Sequence, residues 1–296
     1  LPRTNYVRAC SVEEYRRRAP VWDGKLSTGY FRHVHRRQLA PTGERTLISA
    51  LVPPGVAHID SVLSVGLQCA TDLVVMSGLC ASIPYDFLCR ASGKSDLRGA
   101  DFGKLPLPGL GPYRNPLILR AILLNCLTRH YAPLWRELYT PEFCSDSLVG
   151  SDPRLPSLAT LTPEWNWNTP LRTPYARRQA LVELDVLAAM ALGLTLEELV
   201  TIYRVQFAVL QMYENDTWYD ATGRIVFTNN RGLSGVGLER KQFEEVRRAT
   251  TREEMPDWAR DYLPPFDRCH REEDYARAYS AFQARSLPNL EKIPKA

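Results

Sequence analysis

Several features that would place a protein in a membrane or in an oxidising compartment are missing from this sequence. No run of apolar residues approaches the ~20 needed to cross a bilayer, and the amino terminus lacks the uninterrupted apolar segment of a signal peptide. The seven cysteines are an odd number and include no C-x-x-C pair, so they suggest neither a disulfide framework nor a zinc site. We therefore expect a cytoplasmic protein without membrane contact, whose cysteines stay reduced.

The motifs of metal-dependent and phosphate-binding enzymes are also missing. The five histidines, at positions 33, 35, 58, 130 and 270, form no H-E-x-x-H or comparable ligand pattern. The glycine-rich stretch 232–237 lacks the order G-x-G-x-x-G and the lysine of a P-loop, which favours a flexible turn. Glu183 and Asp185 stand two apart on a predicted helix and do not face each other, which makes them poor catalytic acids. The sequence predicts no catalytic residue and no metal site.

What the sequence does contain is enough apolar material for a large core, together with an uneven distribution of charge. The chain has 296 residues, 45% of them hydrophobic, which allows one large domain or two small ones. Its formal net charge is +4, but residues 1–50 carry ten Lys and Arg against four acids, a balance of +6 that leaves −2 for the rest. Any surface that binds a polyanion is therefore expected near the amino-terminal segment. Because the chain opens at Leu1 and not at methionine, we expect it to be part of a longer protein.

Residues 45–108 have the pattern of a compact α/β module. An apolar run over 45–52 ends at the Pro-Pro-Gly of 53–55, where a strand has to stop because proline lacks the N–H donor. A second strand-like run over 56–65 is followed by a helical stretch at 72–80 and a shorter helical piece around 85–87. The sequence thus predicts an α+β fold, in which a small α/β module is followed by long helices and by a mixed carboxy-terminal tail.

Three strings in this region resemble a known kind of module. They are ERTLISALVPP at 44–54, SIPYDF at 82–87 and LPLP at 105–108. Together they resemble the target recognition domain of type IIG restriction-modification methylases and of the related phage-defence methylases of BREX and DISARM systems; the type I specificity subunit carries a similar module. PFDRC at 265–269 and the Asp-Tyr at 274–275 also resemble the carboxy-terminal ends of these methylases. The resemblance implies a protein that recognises a DNA sequence.

The catalytic motifs of such a methylase are not in the chain. An adenine methyltransferase needs a glycine-rich S-adenosylmethionine loop and an Asn/Asp-Pro-Pro-aromatic motif that holds the flipped base. The nearest string, Asn115-Pro116-Leu117-Ile118, lacks the second proline and the aromatic residue, and no PD-(D/E)xK nuclease spacing stands out. We therefore expect no cofactor in this chain, and we expect S-adenosylmethionine in a missing catalytic half.

Cationic residues on and beside the module are the candidate DNA contacts. The aromatic and cationic stretch 29–37 is interpreted either as a strip that contacts phosphates and base edges or as an ordinary solvated charge run. The polar, glycine-rich loop 92–99 is interpreted either as a recognition loop or as a plain surface loop. The predicted DNA-binding residues are Arg32, His33, His35, Arg36, Arg37, Arg45, Lys94 and Arg98.

The rest of the chain is predicted to be mainly helical. Apolar spacing predicts one long helix over 113–139, followed by an irregular, proline-rich stretch over 140–174. The Trp-Asn-Trp within that stretch could stack on bases, although such tryptophans more often anchor a strap to a core. Two helices, 175–192 and 195–213, come next, and Thr195 with Glu198 has the pattern of a capping box.

Four parts follow from these patterns. We expect a basic segment or linker that leads in from a preceding domain at 1–44, the target recognition module at 45–112, a helical spacer at 113–216, and a hairpin with a helical tail at 217–296.

The sequence as a whole favours one function and leaves one alternative. The favoured function is sequence-specific recognition of double-stranded DNA, as the specificity half of an adenine-N6 DNA methyltransferase in restriction-modification or phage defence. Its expected partners are duplex DNA, a catalytic methyltransferase domain in the same or another polypeptide, and further subunits of the defence system. The alternative is a protein-interaction scaffold within a defence complex.

Overall fold

A computed structural model describes residues 9–286, so that the outer ends of the first and last predicted parts, 1–8 and 287–296, lie outside it. Helix α1 (Val12–Arg18) begins at Ser11, whose hydroxyl accepts a hydrogen bond from the N–H of Glu14. A two-residue turn with positive φ angles then joins β1 (Val21–Trp22) to β2 (Lys25–Leu26). These elements cover one side of the sheet that follows.

The predicted module contains an antiparallel sheet of three strands in the order β4-β3-β5. The strands are β3 (Arg32–Arg36), β4 (Ser49–Val52) and β5 (Val62–Val65). The two strands expected from the apolar runs are therefore present but shorter than predicted. The central strand, β3, comes from the cationic stretch that precedes the predicted start of the module at residue 45.

Side chains from a later helical region close the outer edge of β4. The N–H of Leu51 donates to Asn125 Oδ1 over 3.0 Å, and the Leu51 carbonyl accepts from the Tyr131 hydroxyl over 2.8 Å. Both groups point away from β3. In a strand at the edge of a sheet, every second residue has its N–H and carbonyl on the side that has no neighbouring strand. The sheet is thus fastened directly to the helices that follow it.

Three helices complete the module, namely α2 (Ala70–Cys80), α3 (Ile83–Ala91) and α4 (Gly99–Phe102). The helices predicted at 72–80 and around 85–87 are confirmed by α2 and α3. Gly78 of α2 lies so close to α5 (Arg114–Asn125) that an added Cβ would come within 2.9 Å of a leucine side chain. This close approach lets α2 pack deeply against the next part of the chain.

The single helix predicted over 113–139 is wrong. After α5, Cys126 adopts a non-helical backbone conformation with φ −76° and ψ 51°, and α6 (Ala132–Leu138) starts separately. Pro133 lies in the first turn of α6, where its missing N–H costs nothing. The apolar spacing continued across the break because both helices face the same core.

Residues 139–173 are irregular, as expected, apart from a 3₁₀ turn at Pro141–Ser145. Two tryptophans hold the stretch in place: the indole N–H of Trp135 donates to the Thr162 carbonyl, and that of Trp165 donates to the Cys126 carbonyl, each over 2.8 Å. This stretch is a strap across the ends of α5 and α6.

Helix α7 (Pro174–Ala191) is the buried centre of the helical region. The helix predicted over 195–213 is split into α8 (Leu196–Gln206) and α9 (Ala208–Asn215) at Phe207, which has φ −121° and ψ 43°. The predicted capping box at the start of α8 is confirmed, since Thr195 and Glu198 bond each other's backbone N–H groups.

The carboxy-terminal part forms a small unit and then returns to the main core. The predicted hairpin is present as β6 (Trp218–Tyr219) and β7 (Ile225–Phe227), with α10 (Arg240–Val246) packed against it. A separate small apolar cluster lies here, whereas α11 (Arg271–Ser286) packs on α7 in the large cluster that also contains the module. The chain is therefore of the α+β class, and the predicted boundaries between its four parts stay predictions.

Within residues 9–286, no single helix is both long enough and apolar enough to cross a membrane. Helices α2 and α3 reach that length and hydropathy only together, and their axes are bent by 72° at the break between them.

Candidate nucleic-acid interface

The two groups of cations singled out in the sequence lie side by side in the structure. The loop after α3 runs along the end of β3, because the N–H of Leu97 donates to the Arg37 carbonyl and the N–H of Leu39 donates to the Ser95 carbonyl, each over 2.8 Å. This brings Lys94 and Arg98 to the same end of the sheet as Arg36 and Arg37.

His33 and His35 are buried on the helix-covered face of the sheet. Their rings are 0% and 1% exposed, and the ring of Phe102 stacks on His35 at 4.9 Å. Burial lowers the pKa of His33 to about 3 and also lowers the pKa of His35, so that both are neutral at pH 7. Two of the predicted DNA-binding side chains thus offer no surface to a duplex in this conformation.

Arg45 is half-buried, with 20% of its side chain exposed, and its contacts are structural. Its Nε donates to Asp86 over 2.7 Å, and its Nη2 donates to two carbonyl oxygens at the break between α2 and α3. Asp86 is 0% exposed and also accepts from the backbone N–H of Thr46 and Leu47. Arg45 therefore holds the start of the apolar run against α3 through its Nε and Nη2 groups.

The other predicted cations lie at or near the surface and are partly occupied. Arg36 donates its Nε–H to the Gln38 carbonyl over 2.9 Å. Arg37 forms ion pairs with Asp60 and Asp96, and Arg98 also pairs with Asp96, over 3.3 Å. Lys94 pairs with Asp101. Because exposed ion pairs contribute little stability, Lys94 and Arg98, whose side chains are 45% and 66% exposed, can exchange their partners for phosphates at small cost.

Arg32 differs from all of these. Its side chain lies on the sheet face that α1 and the β1–β2 hairpin cover, and only 2% of the residue is exposed. Nη1 donates to Ser64 Oγ over 3.1 Å and Nη2 donates to the Val56 carbonyl, whereas Nε is buried without a hydrogen-bond partner. Burial lowers the pKa of the Arg32 guanidinium, as expected for a cation removed from water.

The other buried arginines differ from Arg32 because they have carboxylate partners. Four arginines are buried among residues 9–286, and three of them pair with carboxylates. Arg120 pairs with Glu183 and Asp146, Arg178 pairs with Glu214 and Asp274, and Arg271 pairs with Asp185 and Glu214. Arg32 has neutral partners only. Burial of a charge without a counter-charge is costly, so the contacts of the fold alone do not account for the burial of Arg32.

Arg32 lines an open cavity of about 350 Å³. The cavity lies between α1, the β1–β2 hairpin and the loop that leads into β5, and Tyr15 and Trp22 form part of its wall. His58 stands at this wall, where its Nδ1–H donates to the Ile59 carbonyl over 3.1 Å and its Nε2 is hydrogen-bonded to the Ser64 hydroxyl. The Arg37–Asp60 ion pair also lines the cavity. The arrangement provides the positive charge of Arg32 and aromatic walls for an anionic group.

Sequence reasoning found Arg32 and Arg37 but missed the other groups that line this cavity. Tyr15, Trp22, His58 and Ser64 come from separate segments of the chain, and the spacing of the histidines forms no ligand pattern. The stretch 53–61 contains strand-ending prolines and the start of the strand-like run predicted over 56–65, but no pattern that links it to Arg32. No local spacing could have joined these positions.

Residues 9–286 contain no group of three or more His, Cys, Asp or Glu side chains that could hold a metal ion. Comparison of the chain with protein-family models, with curated proteins and with solved structures gives no significant match. The arguments about function therefore rest on the geometry of the residues and on the sequence strings described above.

Proposed function

We propose that this chain recognises a specific sequence of double-stranded DNA and acts as the specificity half of an adenine-N6 DNA methyltransferase of a restriction-modification or phage-defence system. The observation that carries the proposal is Arg32, a buried guanidinium without a carboxylate that lines an open cavity. A DNA phosphate at this cavity would supply the missing counter-charge through space, since only 2% of Arg32 is exposed and both of its Nη groups already donate to Ser64 and Val56.

The surroundings of Arg32 fit this role. Arg36, Arg37, Lys94 and Arg98 lie at the neighbouring end of the sheet, on a chain whose excess of positive charge is concentrated in its first 50 residues. Phosphate contacts of this kind fix the position of a protein on a duplex, and contacts to base edges select the sequence. The strings at 44–54, 82–87 and 105–108 support the same function through their resemblance to target recognition domains.

The proposal also defines partners and location. The catalytic methyltransferase half would bind S-adenosylmethionine and methylate the adenine, and this chain would supply binding energy and sequence choice. The proposed function implies a cytoplasmic protein. All seven cysteines are free, which suits a reducing compartment.

Selection from a random duplex DNA library tests the proposal directly. The chain is used alone and then together with its catalytic half, and bound duplexes are sequenced. We expect enrichment of a motif of several base pairs. If no motif is enriched in either format, and binding is absent even at low salt, sequence-specific recognition is refuted.

Substitution of Arg32 tests the cavity itself. Arg32→Met removes the charge without leaving an unpaired acid, so we expect the melting temperature to stay unchanged or to rise while duplex binding falls. Arg271→Met, by contrast, leaves buried carboxylates behind and should lower the melting temperature. The exposed Arg248→Gln serves as the control for a general loss of charge. Loss of folding in Arg32→Met at pH 7 would show that this guanidinium is structural.

A salt titration distinguishes DNA recognition from the alternative, a protein-interaction scaffold in a defence complex. Release of counterions makes binding to duplex DNA weaken steeply with salt, with a slope of about −0.9 per phosphate contact in a double-logarithmic plot. We expect Arg32→Met to reduce that slope by roughly one unit. A shallow slope, unchanged by the substitution, favours the scaffold.

A further inference from the structure

A second group of uncompensated cations lies far from Arg32 in sequence, on the strap over the ends of α5 and α6. The guanidinium of Arg172 lies over the ring of Trp167 at 3.8 Å from its centroid, and its Nε donates to the Trp167 carbonyl over 2.9 Å. The Nη2 of Arg172 is buried without a hydrogen-bond partner. Trp167 itself is 67% exposed.

Arg177 adds a second guanidinium to this group. Its Nη1 donates to the carbonyl oxygens of Leu124 and Leu171 over 3.1 and 3.3 Å. Burial lowers the pKa of Arg177, and the nearby charge of Arg172 lowers it further. Within residues 9–286 neither arginine forms an ion pair with a carboxylate, so two like charges stand close together without compensation.

The position of Arg177 increases the local excess of positive charge. It lies in the first turn of α7, which begins after Thr173 and contains no acidic residue in that turn. The N-terminus of a helix carries a partial positive charge, and acids are favoured there. Two arginines at this position are therefore unfavourable in the free protein and favourable once an anion is bound.

The exposed indole has a separate role. Trp165, two residues earlier, is anchored through its N–H to the Cys126 carbonyl, which holds the strap in place. Since Arg172 lies over one face of the ring and Trp167 is 67% exposed, we infer that its other face is open to a planar ligand. Aromatic rings presented in this way beside arginines are typical stacking platforms for the bases of single-stranded nucleic acid.

We propose that Trp167, Arg172 and Arg177 bind an unpaired nucleotide, whose base stacks on the free face of the indole and whose phosphate is attracted by the positive charge of the two guanidiniums. The inference rests on the proposed function in that the ligand is nucleic acid, and it adds a site for an unpaired stretch beside the duplex. A base in a regular duplex could not stack here, because both of its faces are occupied by neighbouring bases.

Binding of the full chain to a labelled twelve-residue oligothymidylate tests this site by fluorescence anisotropy at low salt. We expect Trp167→Ala to weaken binding on the order of tenfold and Arg172→Gln to weaken it as well. Trp167→Tyr, which keeps an aromatic ring, should retain most of the affinity. Trp258→Ala is the matched control, because Trp258 is also exposed, at 48%, and lies outside the strap.

The outcomes separate this site from the proposed function. Three results would overturn the site. They are an affinity of Trp167→Ala within twofold of that of the unsubstituted chain, an equal loss of affinity in Trp258→Ala, and no binding of oligothymidylate at all. If a duplex motif is selected while oligothymidylate binding does not depend on Trp167, only the second site fails. If Trp167-dependent binding occurs and no duplex motif emerges, the second site stands and duplex recognition fails. Melting temperatures confirm that each variant is folded.

Discussion

A carboxylate between two arginines, Glu214, offers a quantitative test of how the helical region is held together. It accepts hydrogen bonds from Arg271 over 2.7 and 2.9 Å and from Arg178 over 2.8 Å, and its side chain is 13% exposed. Burial alone would raise the pKa of Glu214, but the charges of Arg271 and Arg178 outweigh it and lower the pKa from 4.5 to about 2. A shift of this size corresponds to a stabilisation of roughly 3 kcal/mol in the charged form.

We expect Glu214→Gln to remove this stabilisation and with it the pH dependence that it causes. Because the folded-state pKa lies below the ordinary value, the contribution is complete above about pH 5 and is lost as the pH falls towards 2. The free energy of unfolding, measured in urea, should therefore differ by roughly 3 kcal/mol between the two proteins at pH 7. At pH 3 this difference should shrink by more than half.

The exposed Glu272 provides the control. It pairs with Arg204 at the surface, so Glu272→Gln should cause only a small loss at either pH. The explanation is refuted if the difference between Glu214→Gln and the unsubstituted chain is the same at pH 3 as at pH 7. It is also refuted if the control loses as much stability as Glu214→Gln does.

Three further substitutions test other contacts, all by urea unfolding. Gly237→Ala should lower the free energy of unfolding by more than ~1 kcal/mol, because φ is +78° and the new Cβ would lie 2.5 Å from a backbone carbonyl oxygen of β7. Gly235→Ala is the control and should cost less, because its φ is +80° but the space around it is open. Asp86→Asn should lower the free energy of unfolding by ~3–5 kcal/mol, because the buried carboxylate accepts hydrogen bonds from two arginines and two backbone N–H groups. Asp60→Asn at the surface is the control and should change the free energy of unfolding little. Phe102→Ala should cost ~3–5 kcal/mol through the cavity left beside the two histidines; a loss below 1 kcal/mol would contradict that packing.

Short-range patterns in the sequence predicted the local structure well. Helix α2, the capping box of Thr195 and Glu198, and the β6–β7 hairpin all follow from residues within one or two turns of each other. The two errors in helix length have local causes as well. Cys126 and Phe207 interrupt helices whose apolar spacing continues, because spacing reports the buried face and not the continuity of the backbone.

The central strand was missed because its composition conceals it. Residues 32–36 read as a cationic run, yet Arg32, His33 and His35 are all buried. Each has a distant hydrogen-bond partner, namely Ser77 for His33, the Leu97 carbonyl for His35 and the Val56 carbonyl for Arg32, while one buried nitrogen of each side chain has none. Burial of polar side chains depends on such partners, and no periodicity within the strand reveals them.

Sequence patterns also do not reveal the partners of the charged side chains in the helices. Glu183 and Asp185 were judged poor catalytic acids, and the structure gives each its own arginine, Arg120 for Glu183 and Arg271 for Asp185. These partners are 63 and 86 residues away along the chain. Only the fold brings them together, so the sequence could identify the carboxylates without identifying what they stabilise.

Compensation of charge is what separates structural arginines from candidate ligand-binding ones in this protein. The carboxylates beside Arg120, Arg178 and Arg271 offset the cost of their burial, and ligand is not needed. Arg32 has no such partner, and we expect a bound anion to compensate its charge. An anion that binds only the folded state raises the free energy of unfolding by RT ln(1 + [L]/Kd). Duplex DNA is therefore expected to raise the melting temperature of the unsubstituted chain more than that of Arg32→Met. Equal shifts in the two proteins would mean that DNA binds elsewhere and that the charge of Arg32 is simply tolerated.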